Sequence, residues 1–198
     1  MSDLTICVVG HGPSLVGKKL GEKIDQFDVV VRLKGCAPVL GTEDYGSRAD
    51  ALCMSTEVPG LVFNVVAGQY WFYPKNGAYD QVRTFDVIAK RGAPFMIPLD
   101  LCNHWNGKFR EAGATHPNVS TGLAAILVAA HYYEPALVVL AGFDTLLNPG
   151  LEFTRNDEIK RTGVGSSLHD WKAENALLPT IEKAYDTQIV SIDEVEQQ

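Results

Sequence analysis

Leu4-Thr5-Ile6-Cys7-Val8-Val9-Gly10-His11-Gly12-Pro13-Ser14-Leu15 joins an apolar, β-branched run to a glycine-rich turn. The run from Leu4 to Val9 reads as a buried strand, and the glycines and proline after it as a tight turn. Pro13 suits the first position of a following helix, where its missing N–H costs nothing. Strand, glycine turn and helix start, in that order, open a parallel α/β sheet. Ligands of such sheets lie beyond the carboxyl ends of the strands.

Working outward, Leu15, Leu20 and Ile24 continue as an apolar stripe at helical spacing, although Gly17 and Gly21 weaken that helix. Phe27 to Leu33 is a second strand, continuous enough to be covered on both faces. Further strands are expected at Ala51 to Met54, Leu61 to Val66, Gln69 to Tyr73, Pro94 to Ile97, Leu137 to Leu140 and Gln188 to Ile192. Helices are expected at Tyr79 to Lys90, Leu99 to Ala112, from a Ser120 cap to Tyr133, and from Leu168 onward. After Asp144 a polar, aperiodic stretch runs to Ser167. It predicts a loop of about 24 residues, long enough to cover a site. The alternation predicts one α/β domain over residues 1–198, a mostly parallel sheet with helices on both faces. Gly10 to Ser14, Arg32 to Gly35 and Gly142 to Asp144 then share the carboxyl rim, with Ser120 and His169 in reach.

The chain has 198 residues, 46% of them hydrophobic, enough for a substantial core. Its net charge of −7, from 17 basic and 24 acidic residues, argues against nucleic acid as a partner. The longest apolar stretch, Leu123 to Ala130, is too short to span a membrane. The amino terminus lacks a basic region followed by an apolar run. Cys7, Cys36, Cys53 and Cys102 form no CxxC pair, so buried, reduced thiols in a cytoplasmic protein are expected. His104, His116 and Cys102 match no zinc spacing, and no metal site is expected.

Three clusters can carry chemistry. In Gly10 to Leu15, glycines admit close backbone approach, and the next helix offers N–H groups to an anion. A dinucleotide site would want a third glycine where Leu15 stands, and an acid where strand two ends in Arg32 and Lys34. Ser120-Thr121-Gly122 puts two hydroxyls and a glycine at a helix start, although serine there is also a plain cap. Ser167 with Asp170 fits a capping box that puts His169 in a first turn. There the helix dipole disfavours the imidazolium, and a neutral ring suits a general base.

The order of these segments resembles the sialyltransferases of glycosyltransferase family 29. Gly21, Ile24, Asp25, Phe27, Asp28, Val30 and Arg32 follow the spacing of that family's large motif. Asp44-Tyr45-Gly46-Ser47-Arg48 is similar to its Asp-Val-Gly-Thr-Lys, and Ser120-Thr121-Gly122 with His131 and Gly142-Phe143 to its small motif. His169 to Glu174 is similar to the very small motif, His-x-x-x-x-Glu. The turn Gly10 to Leu15 is also close to the Gly-Asn-Gly-Pro-Ser-Leu of the bacterial family 42 enzymes.

That resemblance implies a Rossmann-like, GT-A-variant fold and an inverting, metal-independent enzyme. It would need no cofactor and would use a CMP-linked sugar donor and a glycan or glycoconjugate acceptor. It makes His169 the base that deprotonates the acceptor. It puts Gly10, His11, Gly12, Pro13, Ser14, Arg32, Lys34, Ser120, Thr121, Gly122, Gly142 and Phe143 around the donor. Asp25, Asp28, Arg32 and Glu174 also read as framework. His11 and Lys34 stand where the family has asparagines, and Ile6 and Tyr133 where it has a cysteine bridge, which fits a reducing compartment. The family's second histidine, which assists the leaving phosphate, is absent, leaving Arg155, Lys160 and Arg161 as substitutes. Two alternatives stand beside this reading. One is a UDP- or other nucleotide-sugar with a glycan, lipid or modified-base acceptor; the other is a non-catalytic nucleotide-binding relative. The sequence does not set the oligomeric state.

Overall fold

The strands β1 (Thr5–Val9), β2 (Val29–Leu33), β3 (Ala51–Ser55), β4 (Gln69–Tyr73), β5 (Ala93–Met96), β6 (Leu137–Ala141) and β7 (Gln188–Ser191) make one sheet. Its order is β5-β4-β3-β2-β1-β6-β7, and every pairing is parallel. The structure, a computed structural model, describes residues 3–34, 36, 39–55, 66–74, 93–147 and 169–195. The chain starts in the middle of the sheet, adds strands outward to β5, then returns to the other side of β1 for β6 and β7. The order therefore reverses between β1 and β6, and a crevice opens at such a point.

The described helices of the return from β5 to β6 and of the step to β7 pack on one face, the return face, and the described segment between β1 and β2 packs on the other. The return face carries α2 (Leu99–Glu111), α3 (Thr121–Tyr133) and α5 (Trp171–Tyr185). Ile6, Val8, Val31 and Leu33 point into this larger core, against Leu123, Ile126, Leu177 and Ile181. Period-two alternation sends Cys7, Val9 and Val30 to the opposite face, under Leu15, Ile24 and Tyr45. Among the described residues that second face carries a single short helix, α1 (Gly21–Asp25), and a 3₁₀ turn, Pro13–Leu15.

Two expected helices change. The Leu15 to Ile24 stripe is interrupted at Gly17 (φ 78°) and Lys19 (φ 52°). Asp44 takes over there: its carboxylate accepts from the Gly17 and Lys19 N–H groups, each at 2.9 Å. The last helix begins at Trp171 rather than Leu168, with Asp170 as its cap. Asp144–Leu147 forms one short helix, α4, at the start of the expected loop. The expected strand residues 61–65, the expected helix Tyr79 to Lys90 and the rest of the loop through 168 lie outside the described residues.

Candidate active site

The first turn meets the end of β6 at the crevice. Gly10 N–H donates to the Ala141 carbonyl and Gly12 N–H to the Gly142 carbonyl, both at 2.8 Å. A Cβ on Gly10 would lie 2.5 Å from the Gly142 oxygen, and one on Gly12 2.6 Å from that oxygen and from the Asp144 carboxylate. These glycines let two rim loops touch, and Gly142 turns through φ 69° to do so. Pro13 opens only a three-residue turn, and the Ser14 N–H donates to the Asp144 carboxylate at 3.0 Å. The expected anion groove at this turn is therefore corrected: a carboxylate of the protein already holds that N–H. The sequence put Asp144 on the same rim but gave no sign of its bond to Ser14, 130 residues away.

Arg32 also leaves the donor set. Its side chain is 0% exposed, and its guanidinium donates to the Arg48 and Tyr45 carbonyls and to Asp25. It points into the second core because alternation along β2 aims it there. Asp25 accepts from Ser47 N–H (2.7 Å), Ser47 Oγ (3.0 Å) and Arg48 N–H (3.0 Å). Burial alone would raise the Asp25 pKa; these bonds and the Arg32 charge outweigh it and hold the pKa below the usual range. The framework reading of Asp25 and Arg32 fits these contacts.

Beyond the crevice, the β1, β2 and β3 ends present His11, Lys34 and Ser55. The His11 Nε2–H donates to the Lys34 carbonyl at 2.8 Å, and Lys34 Nζ donates to Ser55 Oγ at 3.0 Å. A carbonyl only accepts, so this bond sets the ring's tautomer and leaves Nδ1 as an acceptor. Loss of solvation, then the charges of Lys34 and Arg32, lower the His11 pKa against the raising effect of the carbonyl bond. His11 nonetheless stays exposed, the combination expected on the floor of a hollow.

The third cluster closes around Glu174, 1% exposed. One carboxylate oxygen accepts from the Ser120 N–H and the other from Ser120 Oγ, both at 2.8 Å, while Ser120 Oγ accepts from Leu123 N–H at 3.0 Å. Gly122 leaves room for Phe143, whose ring carbon would come within 2.9 Å of an added Cβ. The Cys53 thiol at the end of β3 reaches the Thr121 carbonyl. α3 and α5 run against the strands, so both amino ends stand at the carboxyl rim. His169 lies one residue before the Asp170 cap, not in the first turn as expected. It is half-buried and stacks on Trp171 with centroids 4.4 Å apart and planes 18° apart. Asp170 fixes this point by accepting from Ala173 N–H and from Thr115 N–H. Arg155, Lys160 and Arg161 lie outside the described residues.

Residues 3–70 match the model of glycosyltransferase family 29 (sialyltransferase). Over that stretch the chain is similar to the sialyltransferases of that family. Three solved structures share its fold. A mammalian sialyltransferase is 16% identical at TM-score 0.65, and a second structure, in complex with Gal-beta-1-3GalNAc-ortho-nitrophenol, 15% at 0.60. Each alignment covers 94% of this chain and 68% of the other. The sialyltransferase CST-II, in complex with a trisaccharide acceptor and CMP, is 15% identical at TM-score 0.56, over 95% of this chain and 80% of the other. No curated protein sequence matches.

The family match stops before Ser120 and His169. Contact links them to the matched part: Thr121 meets Cys53 and Gly122 lies beside Leu33, while Glu174 ties the His169 segment to Ser120. Within the matched part, Asp25 bolts the Gly21 to Arg32 segment to Ser47 and Arg48, and Tyr45 donates its hydroxyl to the Gly12 carbonyl at 3.1 Å. Among the described residues no group of histidine, cysteine and acidic side chains could hold a metal, and no helix is long and apolar enough to cross a membrane.

Proposed function

We propose that this protein is an inverting glycosyltransferase that moves a sialic-acid-like sugar from a CMP-linked donor to an acceptor hydroxyl, without a metal. The supporting observation is the pair of hydrogen bonds from Ser120 to the Glu174 carboxylate, which ties the His169 segment to the amino end of α3 on the rim that carries His11 and Lys34. His169 removes the acceptor proton as the acceptor oxygen attacks the sugar, and CMP leaves with the electron pair of the broken bond. A nucleotide monophosphate is already a competent leaving group, so one base and a stabilised phosphate suffice. Stacking on Trp171 fixes the plane of the imidazole. Thr121 and Gly122 line the donor, and Ser120 acts by shaping that turn, since its hydroxyl serves Glu174 and Leu123. The acceptor is a glycan or glycoconjugate.

His169→Ala should keep CMP binding within about twofold and lower transfer from a CMP-sugar at least ~100-fold, the scale of general-base catalysis. Equal transfer rates in both proteins would remove His169 from the chemistry. The His11–Lys34 pair, replacing two asparagines, favours one further reading: a different nucleotide base, such as UDP, on the same rim. A panel of CMP-, UDP- and other nucleotide-sugars separates the two by base preference. The four free, buried cysteines favour a reducing, cytoplasmic setting. Burial pushes Cys7 up to about 12 and Cys102 to about 11, which makes both unreactive thiols.

A further inference from the structure

The His11 ring is held by the backbone of a neighbouring strand end. Its Nε2–H is committed to the Lys34 carbonyl, while Nδ1 has no partner among the described residues and the side chain stays exposed. The crevice side of the same turn disfavours an anion, because the Asp144 carboxylate already holds the Ser14 N–H there. An anionic ligand that reaches the first turn therefore meets it on the His11 face, above β1 and β2, where Lys34 adds positive charge. A neutral imidazole offers Nδ1 only as an acceptor, and a phosphate oxygen is an acceptor too. The two fit together only when the ring gains a proton.

We propose that His11 binds the phosphate of the nucleotide donor and takes up one proton from solvent as it does so. The protonated ring then donates through Nε2–H to Lys34 and through Nδ1–H to a phosphate oxygen, and no bond of the donor is made or broken in this step. The proposal rests on the reading of the rim as a nucleotide site. The charges facing His11 agree with it. Lys34, just after β2, and Arg32, on it, disfavour the imidazolium in the empty site, and the Asp144 carboxylate across the crevice is engaged by Ser14. A bound phosphate reverses that balance.

The test is calorimetry of the full chain with CMP in two buffers of different ionisation enthalpy, between about pH 6.5 and 8, beside His11→Asn. The expected result is a proton uptake in wild type that exceeds the variant's. The wild-type Kd should also weaken by up to about tenfold per pH unit beyond any change in the variant. Cytidine, which lacks the phosphate, should give no uptake at His11. The Cε1 resonance of His11 in wild type should move to its protonated position when CMP is added, a readout that does not depend on the variant's folding. His131→Asn, at the far end of α3, should behave as wild type. CMP bound with equal uptake in wild type and His11→Asn, or an unmoved resonance, overturns this proposal and leaves the glycosyltransferase reading standing. No binding of any nucleotide overturns both.

Discussion

Single residues decide how the rim is held, and Glu174 is the clearest case. Its carboxylate is buried and accepts from both donors of Ser120, so removing it strands a backbone N–H and a hydroxyl. Glu174→Ala should cost about 2–4 kcal/mol in urea unfolding, the scale of losing charged, buried hydrogen bonds. Glu174→Gln should cost less, because it still accepts from the N–H. Asp25 makes a pH prediction. Its folded pKa lies below the ordinary 3.8, so its contribution is fully present above that value and lost as pH falls through the lower folded value. Asp25→Asn should flatten the acid limb of stability below about pH 4. At pH 7 it should cost about 3 kcal/mol by leaving Arg32 without its counter-charge. Denaturant midpoints measured from pH 2 to 7 check both effects. The Ser120 cap was legible because capping is local. The bond from Ser14 to Asp144 was not, because nothing within either segment announces a partner 130 residues away.

At the scale of elements, short apolar runs placed the strands well. β1, β2, β3, β4, β6 and β7 need the short apolar segments that a buried parallel sheet demands. The stripe Leu15, Leu20, Ile24 misled, since its spacing is helical while Asp44, from a later loop, captures the N–H groups that a helix would have used. The core positions survive without the helix: Leu15 and Ile24 are still buried. α3 shows the other extreme. Its ten residues from Thr121 to Ala130 are all buried, so amphipathic periodicity is missing and length and cap identify it instead. It ends on Glu134 in the left-handed region at φ 45°, a conformation glycine adopts without strain. Glu134→Gly should therefore stabilise the protein by about 0.5–1 kcal/mol, the relief outweighing the added freedom of the unfolded chain. A lowered urea midpoint would mean that the Glu134 side chain matters more than its backbone.

The whole molecule turns strand order into a place for a ligand. β1 and β6 diverge in their connections, the glycine turn and the Gly142 turn touch, and the amino ends of α3 and α5 converge beside them. The order itself was not readable from the chain, since alternating strands and helices permit many sequences of neighbours. Handedness and the return through α2 and α3 select this one. A site assembled from the first 55 residues, the stretch around 120 and the start of α5 exists only in the folded state, so its ligand must stabilise the fold as a whole. At a hundred times its Kd, a nucleotide bound only by the native state adds about 2.7 kcal/mol. For a chain of this size that raises Tm by roughly 5–10 °C. CMP should give that shift and UMP or AMP at the same concentration less than about a third of it, by differential scanning calorimetry. His169→Ala should keep the CMP shift, because the base proposed for it would act on the acceptor. Glu174→Ala should lose most of it, because the turn proposed to line the nucleotide is no longer tied down. Equal shifts for all three nucleotides would mean that the rim reads phosphate and ribose but not the base, which would move the assignment to the alternative nucleotide-sugar. No shift from any of them would remove the nucleotide site.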